Sequence, residues 1–188
     1  MSKNTKPTIL AAFDEILHKK QFSKITVKDI TDACGVSRMT FYYHFDDIYD
    51  LMNKSVIDKL VSAINDRIRY ENWRGEYISI FKKLLEHRSY FSKIAQYADL
   101  TSVERHLCDC ASKIIGNIVD EVAQRLELEI TDYNKEFLVN FYAFSMSGFL
   151  LKWIFGGMKE VPEEFINKLC VLLEGTFEHT LRKASAAE

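Results

Sequence analysis

The residues whose types could do chemistry lie close together between Ser37 and Phe45. This stretch combines a guanidinium, hydroxyls, a histidine and aromatic rings with polar tips, which suit phosphate oxygens and base edges in the major groove of DNA. Phe41 and Phe45 are four residues apart and would anchor one helical face in a core, so the other side chains would point outward. The alternative interpretation is ordinary packing of the rings. The candidate DNA contacts are Lys28, Ser37, Arg38, Met39, Thr40, Tyr42, Tyr43 and His44.

Two short helices joined by a tight turn must position these side chains. Thr26 and Ser37 are typical N-caps, and Gly35 between them can adopt the left-handed conformation of a turn. The inward face of the first helix would be Val27, Ile30 and Ala33. This layout predicts a helix-turn-helix whose second helix carries the outward side chains.

Composition favours an all-α fold for the whole chain. The 188 residues include only 7 Gly and 2 Pro, too few for the turns that hairpins and sandwiches need. An apolar stripe from Ile9 to Leu17 predicts a first helix, and a fourth helix capped by Asp47 would continue through Ile64 and Ile68. Further helices are predicted over residues 74–87, 89–98, 101–127, 131–155 and 162–184.

The helix-turn-helix resembles that of the TetR family of bacterial regulators. The similarity covers roughly residues 8–54 and rests on Thr26, Ile30, Ala33, Gly35, Val36, Ser37, Thr40, Tyr42 and Phe45. It implies a three-helix DNA-binding domain over residues 1–50 and a helical bundle over residues 51–188 that binds an effector and dimerises. The implied function is transcriptional regulation in the cytoplasm, usually repression, by a homodimer on a pseudo-palindromic operator.

The resemblance also implies a role for each outward side chain. Arg38 and Met39 would contact bases, Tyr43 a base or a sugar, and Lys28 a base or the DNA backbone. Phosphate contacts are implied for Thr40, Tyr42 and His44.

Two positions depart from the family pattern. Met39 stands where a small residue is usual, and Ile48 where a lysine commonly contacts phosphate. Asp46 and Asp47 would repel the DNA backbone, although amides at the helix start after Asp47 can still donate to a phosphate. DNA binding is therefore expected to be weaker or more dependent on the dimer. The alternative function is a helical partner-binding or scaffold protein with weakened DNA affinity.

The C-terminal half resembles, more loosely, a TetR subgroup that includes regulators of dihydroxyacetone kinase operons. The similar positions are Trp73, Trp153 with Gly156, Gly157 and Met158, and the run Pro162, Glu163 and Glu164. These positions do not identify a ligand.

Aromatic residues are abundant in this half, and apolar walls with a few polar groups are typical of ligand pockets. We expect a cavity between the fourth helix and the helices at 101–155, for an unidentified small-molecule or peptide effector. Core packing is the alternative role for most of these side chains. The candidate pocket residues are Tyr77, Phe81, Tyr97, His106, Asn140, Phe141, Phe144 and Ser145.

The last two predicted helices are apolar over wide arcs, which fits either a monomer core or a homodimer interface. The candidate interface residues are Phe141, Gly148, Leu151, Leu169, Leu172 and Phe177. Residues 137–155 also approach the length of a membrane span. Polar residues interrupt that stretch, so burial between protein surfaces is the favoured interpretation and no membrane partner is expected.

Patterns for catalysis, metals or cofactors do not stand out. The four cysteines form no CxxC pair or zinc spacing, which favours reduced thiols; a sensor built on His106, Cys108 and Cys110 is the less favoured alternative. A catalytic triad and a Gly-rich phosphate loop are also missing. We therefore expect neither an enzyme nor a metal or cofactor site. The net charge of −2 does not itself indicate nucleic-acid binding, so that prediction depends on the helix-turn-helix.

Overall fold

The computed structural model describes residues 5–173 and 175–186, and the regular secondary structure of this part is entirely helical. The all-α fold predicted from composition is confirmed. The helices are α1 (Thr5–Lys19), α2 (Val27–Cys34), α3 (Arg38–His44), α4 (Ile48–Ala63), α5 (Trp73–Glu86), α6 (Arg88–Ile94), α7 (Leu100–Arg125), α8 (Asp132–Phe155), α9 (Pro162–Leu173) and α10 (Thr176–Ala186). A single 3-10 turn, Phe22–Lys24, follows α1.

Side-chain caps define the helix-turn-helix. Asp29 Oδ2 accepts a hydrogen bond from the Thr26 amide (2.9 Å), and the Thr26 hydroxyl accepts one from the Asp29 amide (3.2 Å), which closes a capping box at the start of α2. Gly35 ends α2 with φ +68°, the left-handed conformation that the sequence predicted. Ala33 is exposed, so its predicted place on the inward face is wrong; Thr31 is buried there instead.

The N-terminal helices share one core with α4. Phe13 of α1, Ile30 of α2, Phe41 of α3 and Leu51 of α4 are fully buried. The rings of Phe13 and Phe22 meet edge to face with centroids 6.2 Å apart. Burial of this many large apolar side chains fixes α3 on the rest of the unit.

The remaining helices form a bundle in which α7 and α8 pack along much of their lengths. α5 packs on α9, and α4 contacts both α5 and α7. Trp153 of α8 is buried against Phe81 of α5, with ring centroids 4.6 Å apart, and its indole donates a hydrogen bond to the Glu160 carbonyl (2.9 Å).

Two predicted helices are shorter than the sequence pattern suggested. α4 ends at Ala63 rather than beyond Ile68, because asparagine side chains bond to the backbone of the following segment: Asn65 Oδ1 accepts from the Arg67 amide and Asn72 Oδ1 from the Arg69 amide. The predicted helix 162–184 is two helices, α9 and α10, and Gly175 between them has φ +70°.

Candidate nucleic-acid interface and cavity

α3 is held by a cap at its start and by two phenylalanines on its inner face. The Ser37 hydroxyl accepts a hydrogen bond from the Thr40 amide (3.0 Å) and also bonds with the Thr40 hydroxyl (2.9 Å). Phe41 and Phe45 are 0% and 1% exposed. Both ends of this short helix are therefore fixed before any ligand is bound.

The outer face of α3 carries large side chains in solvent. Met39 is 84% exposed, Tyr43 74% and Tyr42 55%, and Arg38 beside them is also exposed. Apolar and aromatic side chains exposed together mark a surface that another molecule covers. Lys28 on α2 is exposed too, whereas His44 is half-buried against the Tyr43 ring, with centroids 5.0 Å apart.

A lysine on α4 that the sequence analysis did not single out holds the end of α3. Lys54 Nζ lies 5.4 Å from the centre of the Phe45 ring, pairs with the Asp50 carboxylate (2.8 Å) and donates to the His44 carbonyl (3.3 Å). A cation near the last carbonyls of a helix is favourable. The available signal was the spacing of Asp50 and Lys54, one helical turn apart.

The sequence predicted that amides at the start of α4 can donate to a DNA phosphate, but carboxylates of this chain already accept from several of them. Asp47 Oδ1 accepts hydrogen bonds from the amides of Tyr49 and Asp50, both at 2.8 Å. The Asp46 amide bonds with the Asp50 carboxylate (2.9 Å), and Ile48 packs on the core. Three amides near this helix start are thus already occupied by carboxylates.

A junction of polar and aromatic contacts joins α1 to α6. Lys93 Nζ donates to the carbonyls of Leu17 (2.8 Å) and His18 (3.0 Å) at the end of α1. The rings of Tyr97 and Phe22 lie 4.8 Å apart between centroids. Tyr97 therefore lines a separate pocket at this junction, between the end of α1 and α6, and not the cavity that the prediction placed between the fourth helix and residues 101–155.

A cavity of about 440 Å³ lies among segment 64–72, α5, α7, α8, the end of α9 and the start of α10. The predicted position between the fourth helix and residues 101–155 is correct for α7 and α8. It is wrong for α4, of which only the C-cap residue Ile64 reaches the cavity. The lining is mainly aliphatic and aromatic and includes Ile64, Ile68, Trp73, Ile80, Ile114 and Phe177.

Seven of the eight predicted pocket residues lie outside this cavity; Tyr77 alone is in its wall. Phe81 is in the core against Trp153, and His106 bonds with the Ser102 carbonyl on the exposed side of α7. The other misplaced residues on α8 are Asn140, Phe141, Phe144 and Ser145. Aromatic content indicated that a cavity was present, but not which way each ring points.

Both α8 and α9 expose large apolar side chains. α8 has the length and mean hydropathy (1.3) of a membrane span, yet it is a bundle helix that packs on α7 along one face. The most exposed apolar side chains are Tyr133, Phe137, Phe141 and Phe144 on α8 and Val171 and Leu172 on α9. We call these six residues the α8–α9 surface.

The predicted dimer residues divide between this surface and the interior. Phe141 and Leu172 are exposed, while Gly148 and Leu151 are half-buried beside the surface. The remaining two are corrections. Leu169 is only 5% exposed because it packs in the monomer core, and Phe177 packs on Tyr70 and Tyr142 at the cavity.

Across residues 5–173 and 175–186, side chains of His, Cys, Asp and Glu nowhere gather in a group of three that could hold a metal ion. Cys34, Cys108 and Cys110 are free thiols. Burial raises the pKa of the Cys108 thiol, so this cysteine is less reactive than an exposed one.

Comparison with known families matches both parts of this architecture. A model described as "Bacterial regulatory proteins, tetR family" matches residues 9–54, which include α2 and α3, and one described as "Transcriptional regulator C-terminal region" matches residues 71–175. The chain belongs to the TetR family. TetR proteins are transcriptional regulators and not enzymes, and the predicted family membership is confirmed.

Individual relatives within the TetR family are distant. The "HTH-type dhaKLM operon transcriptional activator DhaS" of Lactococcus lactis subsp. lactis (strain IL1403) is 20% identical over 88% of both chains. The "Probable acrEF/envCD operon repressor" of Escherichia coli (strain K12) is 27% identical over 62% of this chain and 57% of its own.

Solved structures agree on the fold. That of "Dihydroxyacetone kinase operon activator DhaS" superposes with a TM-score of 0.67 at 20% identity over 95% of this chain and 98% of its own. The structure of the TetR-family repressor AlkX from Dietzia sp. strain DQ12-45-1b superposes with a TM-score of 0.66 at 13% identity, over 96% of this chain and 97% of its own. The predicted similarity to the dihydroxyacetone kinase subgroup is therefore confirmed at the level of the fold.

Proposed function

We propose that this protein is an effector-controlled transcriptional regulator that reads a pseudo-palindromic operator as a homodimer, with one α3 per half-site. The observation that carries the proposal is the exposure of Met39, Tyr42 and Tyr43 on a helix that Phe41 and Phe45 anchor firmly. A rigid helix with an exposed aromatic and cationic face suits insertion into a major groove. Such a regulator acts in the bacterial cytoplasm.

The side chains of α2 and α3 fall into two proposed groups, those that contact bases and those that contact phosphates. Arg38 and Met39 contact base edges, Tyr43 contacts a base or a sugar, and Lys28 contacts a base or the backbone. Phosphate contacts fall to Thr40, Tyr42 and His44. Ser37 and Thr40 share one hydroxyl hydrogen between them, so the other hydroxyl hydrogen of the pair stays available for a phosphate oxygen.

The α8–α9 surface is the proposed dimer interface. Its side chains include Tyr133 at 78% and Leu172 at 66% exposure, and large apolar side chains exposed to this extent are typical of a surface that another molecule covers. A two-fold axis would place the same surface of a second copy against it, which is the usual geometry of a homodimer.

Effector control would pass through segment 64–72. Ile64 and Ile68 line the cavity, and the segment continues directly from α4, which packs on α1. A ligand changes DNA affinity only if it binds one arrangement of α4 better than another. Repression stays a prediction, because one relative is an activator and another carries the name of a repressor.

Enrichment of duplexes from a random-sequence pool by the full-length protein tests this function. The expected result is one enriched sequence with two-fold symmetry, bound by wild type and lost with Met39→Ala combined with Arg38→Ala. A folded protein that enriches no sequence would contradict DNA reading and favour the scaffold alternative.

A further inference from the structure

The cavity contains one buried polar side chain without a hydrogen-bond partner. Ser147 of α8 lines the cavity and is 2% exposed, and its hydroxyl makes no hydrogen bond with any described residue. The Ser147 hydroxyl lies close enough to the Cys108 thiol to act on the pKa of that thiol, but their contact does not have the geometry of a hydrogen bond. Leaving a buried hydroxyl unpaired is costly, and a ligand atom can supply the missing partner.

Three other polar side chains at the cavity already have partners. The Tyr77 hydroxyl donates to the Met146 carbonyl, and burial raises the pKa of Tyr77 above its ordinary value. Glu71 pairs with Arg125 (2.9 Å), which lies outside the cavity lining. Arg74 donates to the Asn167 side chain (2.6 Å). The exposed positions of Glu71 and Arg74 place both charges at the rim.

The walls between these groups are apolar. A charged ligand group inside the cavity would lose its hydration without meeting a free charge of opposite sign, which is strongly unfavourable. An apolar body would instead displace poorly held water from isoleucine and aromatic side chains. The cavity volume of about 440 Å³ suits a small molecule.

We propose that this cavity takes an uncharged, predominantly apolar small molecule whose one hydrogen-bonding group pairs with the Ser147 hydroxyl. The inference rests on the proposed function, in which the cavity is the effector site. It identifies the chemical class of the effector and the residue that orients it.

Three probes with the same ten-carbon chain and different head groups test the class. Titration calorimetry on the full-length protein compares 1-decanol, decanoate and decyltrimethylammonium. We expect 1-decanol to bind at least about tenfold more tightly than either charged probe. Equal or tighter binding of a charged probe, or binding of none of the three, would overturn the proposal.

Ser147→Ala tests the anchor, with Ser145→Ala as the matched control. The Ser145 hydroxyl is satisfied within its own helix by the Phe141 carbonyl (2.7 Å). Ser147→Ala should weaken 1-decanol binding about fivefold while leaving the melting temperature of the unliganded protein unchanged or higher, because an unpaired hydroxyl is removed. Ser145→Ala should leave 1-decanol affinity unchanged. An Ser147→Ala protein that binds 1-decanol like wild type, or that melts well below it, would contradict the role of Ser147 as a ligand anchor.

Operator titration separates this inference from the proposed function. If 1-decanol binds as expected but operator affinity does not change, the effector role of the cavity fails and the ligand class stands. If the charged probes bind best and release or recruit the operator, the effector role stands and the ligand class fails.

Discussion

At the scale of single residues, the environment of each side chain around α3 separates the proposed DNA contacts from the side chains that hold the helix in place. Arg38 and Met39 point into solvent, whereas Ser37 closes the helix cap and Phe41 fills the core. Residue types and spacing were enough to predict this division. Lys54 was not predicted, because its contacts with the end of α3 come from a different helix.

Arg38→Ala should cost on the order of 1 to 3 kcal/mol of operator binding and relax discrimination at one base position. The reason is the loss of a guanidinium that can bond two acceptors on one base. Fluorescence anisotropy with the operator and its single-base variants measures both effects. Lys24→Ala removes an exposed charge outside α2 and α3 and is the control. An Arg38→Ala protein with intact affinity and selectivity would assign base reading to other side chains.

Asp29 should make folding sensitive to acid. Its hydrogen bond with Lys20, followed by those from Thr26, lowers the pKa of Asp29 to about 2 from 3.8. The ionised carboxylate thus favours the folded state fully above about pH 4, and that stabilisation is lost as pH falls towards 2. Urea denaturation of Asp29→Asn should show lower stability than wild type at pH 7 and a smaller loss between pH 4 and 2. Asp32→Asn on the same helix is the charge-matched control, and an identical pH profile for Asp29→Asn and wild type would refute the role of Asp29.

At the scale of helices and turns, caps were predictable and interruptions were not. Thr26, Gly35 and Ser37 are local signals, and the structure uses each as expected. Ile64 and Ile68 continue the apolar spacing of α4, so the periodicity predicted a longer helix. In the structure, the side chains of Asn65 and Asn72 bond to the backbone of this segment, and the segment is not helical. Periodicity indicates which side chains are buried, but it does not indicate where side chains form hydrogen bonds with the backbone in place of helical ones.

Gly35→Ala and Gly116→Ala should change stability in opposite directions. A methyl group added at either position meets no atom within 4 Å, so the backbone conformation determines the sign of the change in stability. At Gly35, with φ +68°, alanine should cost about 1 to 2 kcal/mol. At Gly116, inside α7, it should stabilise by about 0.5 to 1 kcal/mol. Denaturant midpoints measure the stability of both variants. A Gly35→Ala variant as stable as wild type would mean that the turn does not require the left-handed conformation.

At the scale of the whole molecule, the sequence predicted a cavity and a dimer interface, but it assigned several residues to the wrong one of the two. Phe141 was assigned to both, and the structure leaves it outside on the α8–α9 surface. A helix that is apolar on all sides gives no periodic signal to orient it, so the direction of each ring depends on tertiary packing. Leu169, which lies on α9, was also misassigned, because it packs in the monomer core.

Phe141→Glu combined with Leu172→Glu should convert the dimer into a folded monomer and abolish operator binding at the same protein concentration. Buried charges without partners would make the two-fold interface unfavourable, and a monomer contacts only one half-site. Analytical ultracentrifugation and circular dichroism check mass and folding. The control is Lys159→Glu with Arg182→Glu, two exposed positions outside the α8–α9 surface. Wild-type protein that sediments as a monomer at micromolar concentration would contradict the interface.

In the proposed function, two copies of α3 bind two symmetric half-sites. Footprinting of the full-length protein on its enriched duplex shows whether they do. We expect two protected half-sites related by two-fold symmetry, each altered by Arg38→Ala, and no protection by the folded Phe141→Glu, Leu172→Glu monomer. Protection of a single, asymmetric site, or equal protection of any duplex by wild type and the Arg38→Ala variant, would contradict it.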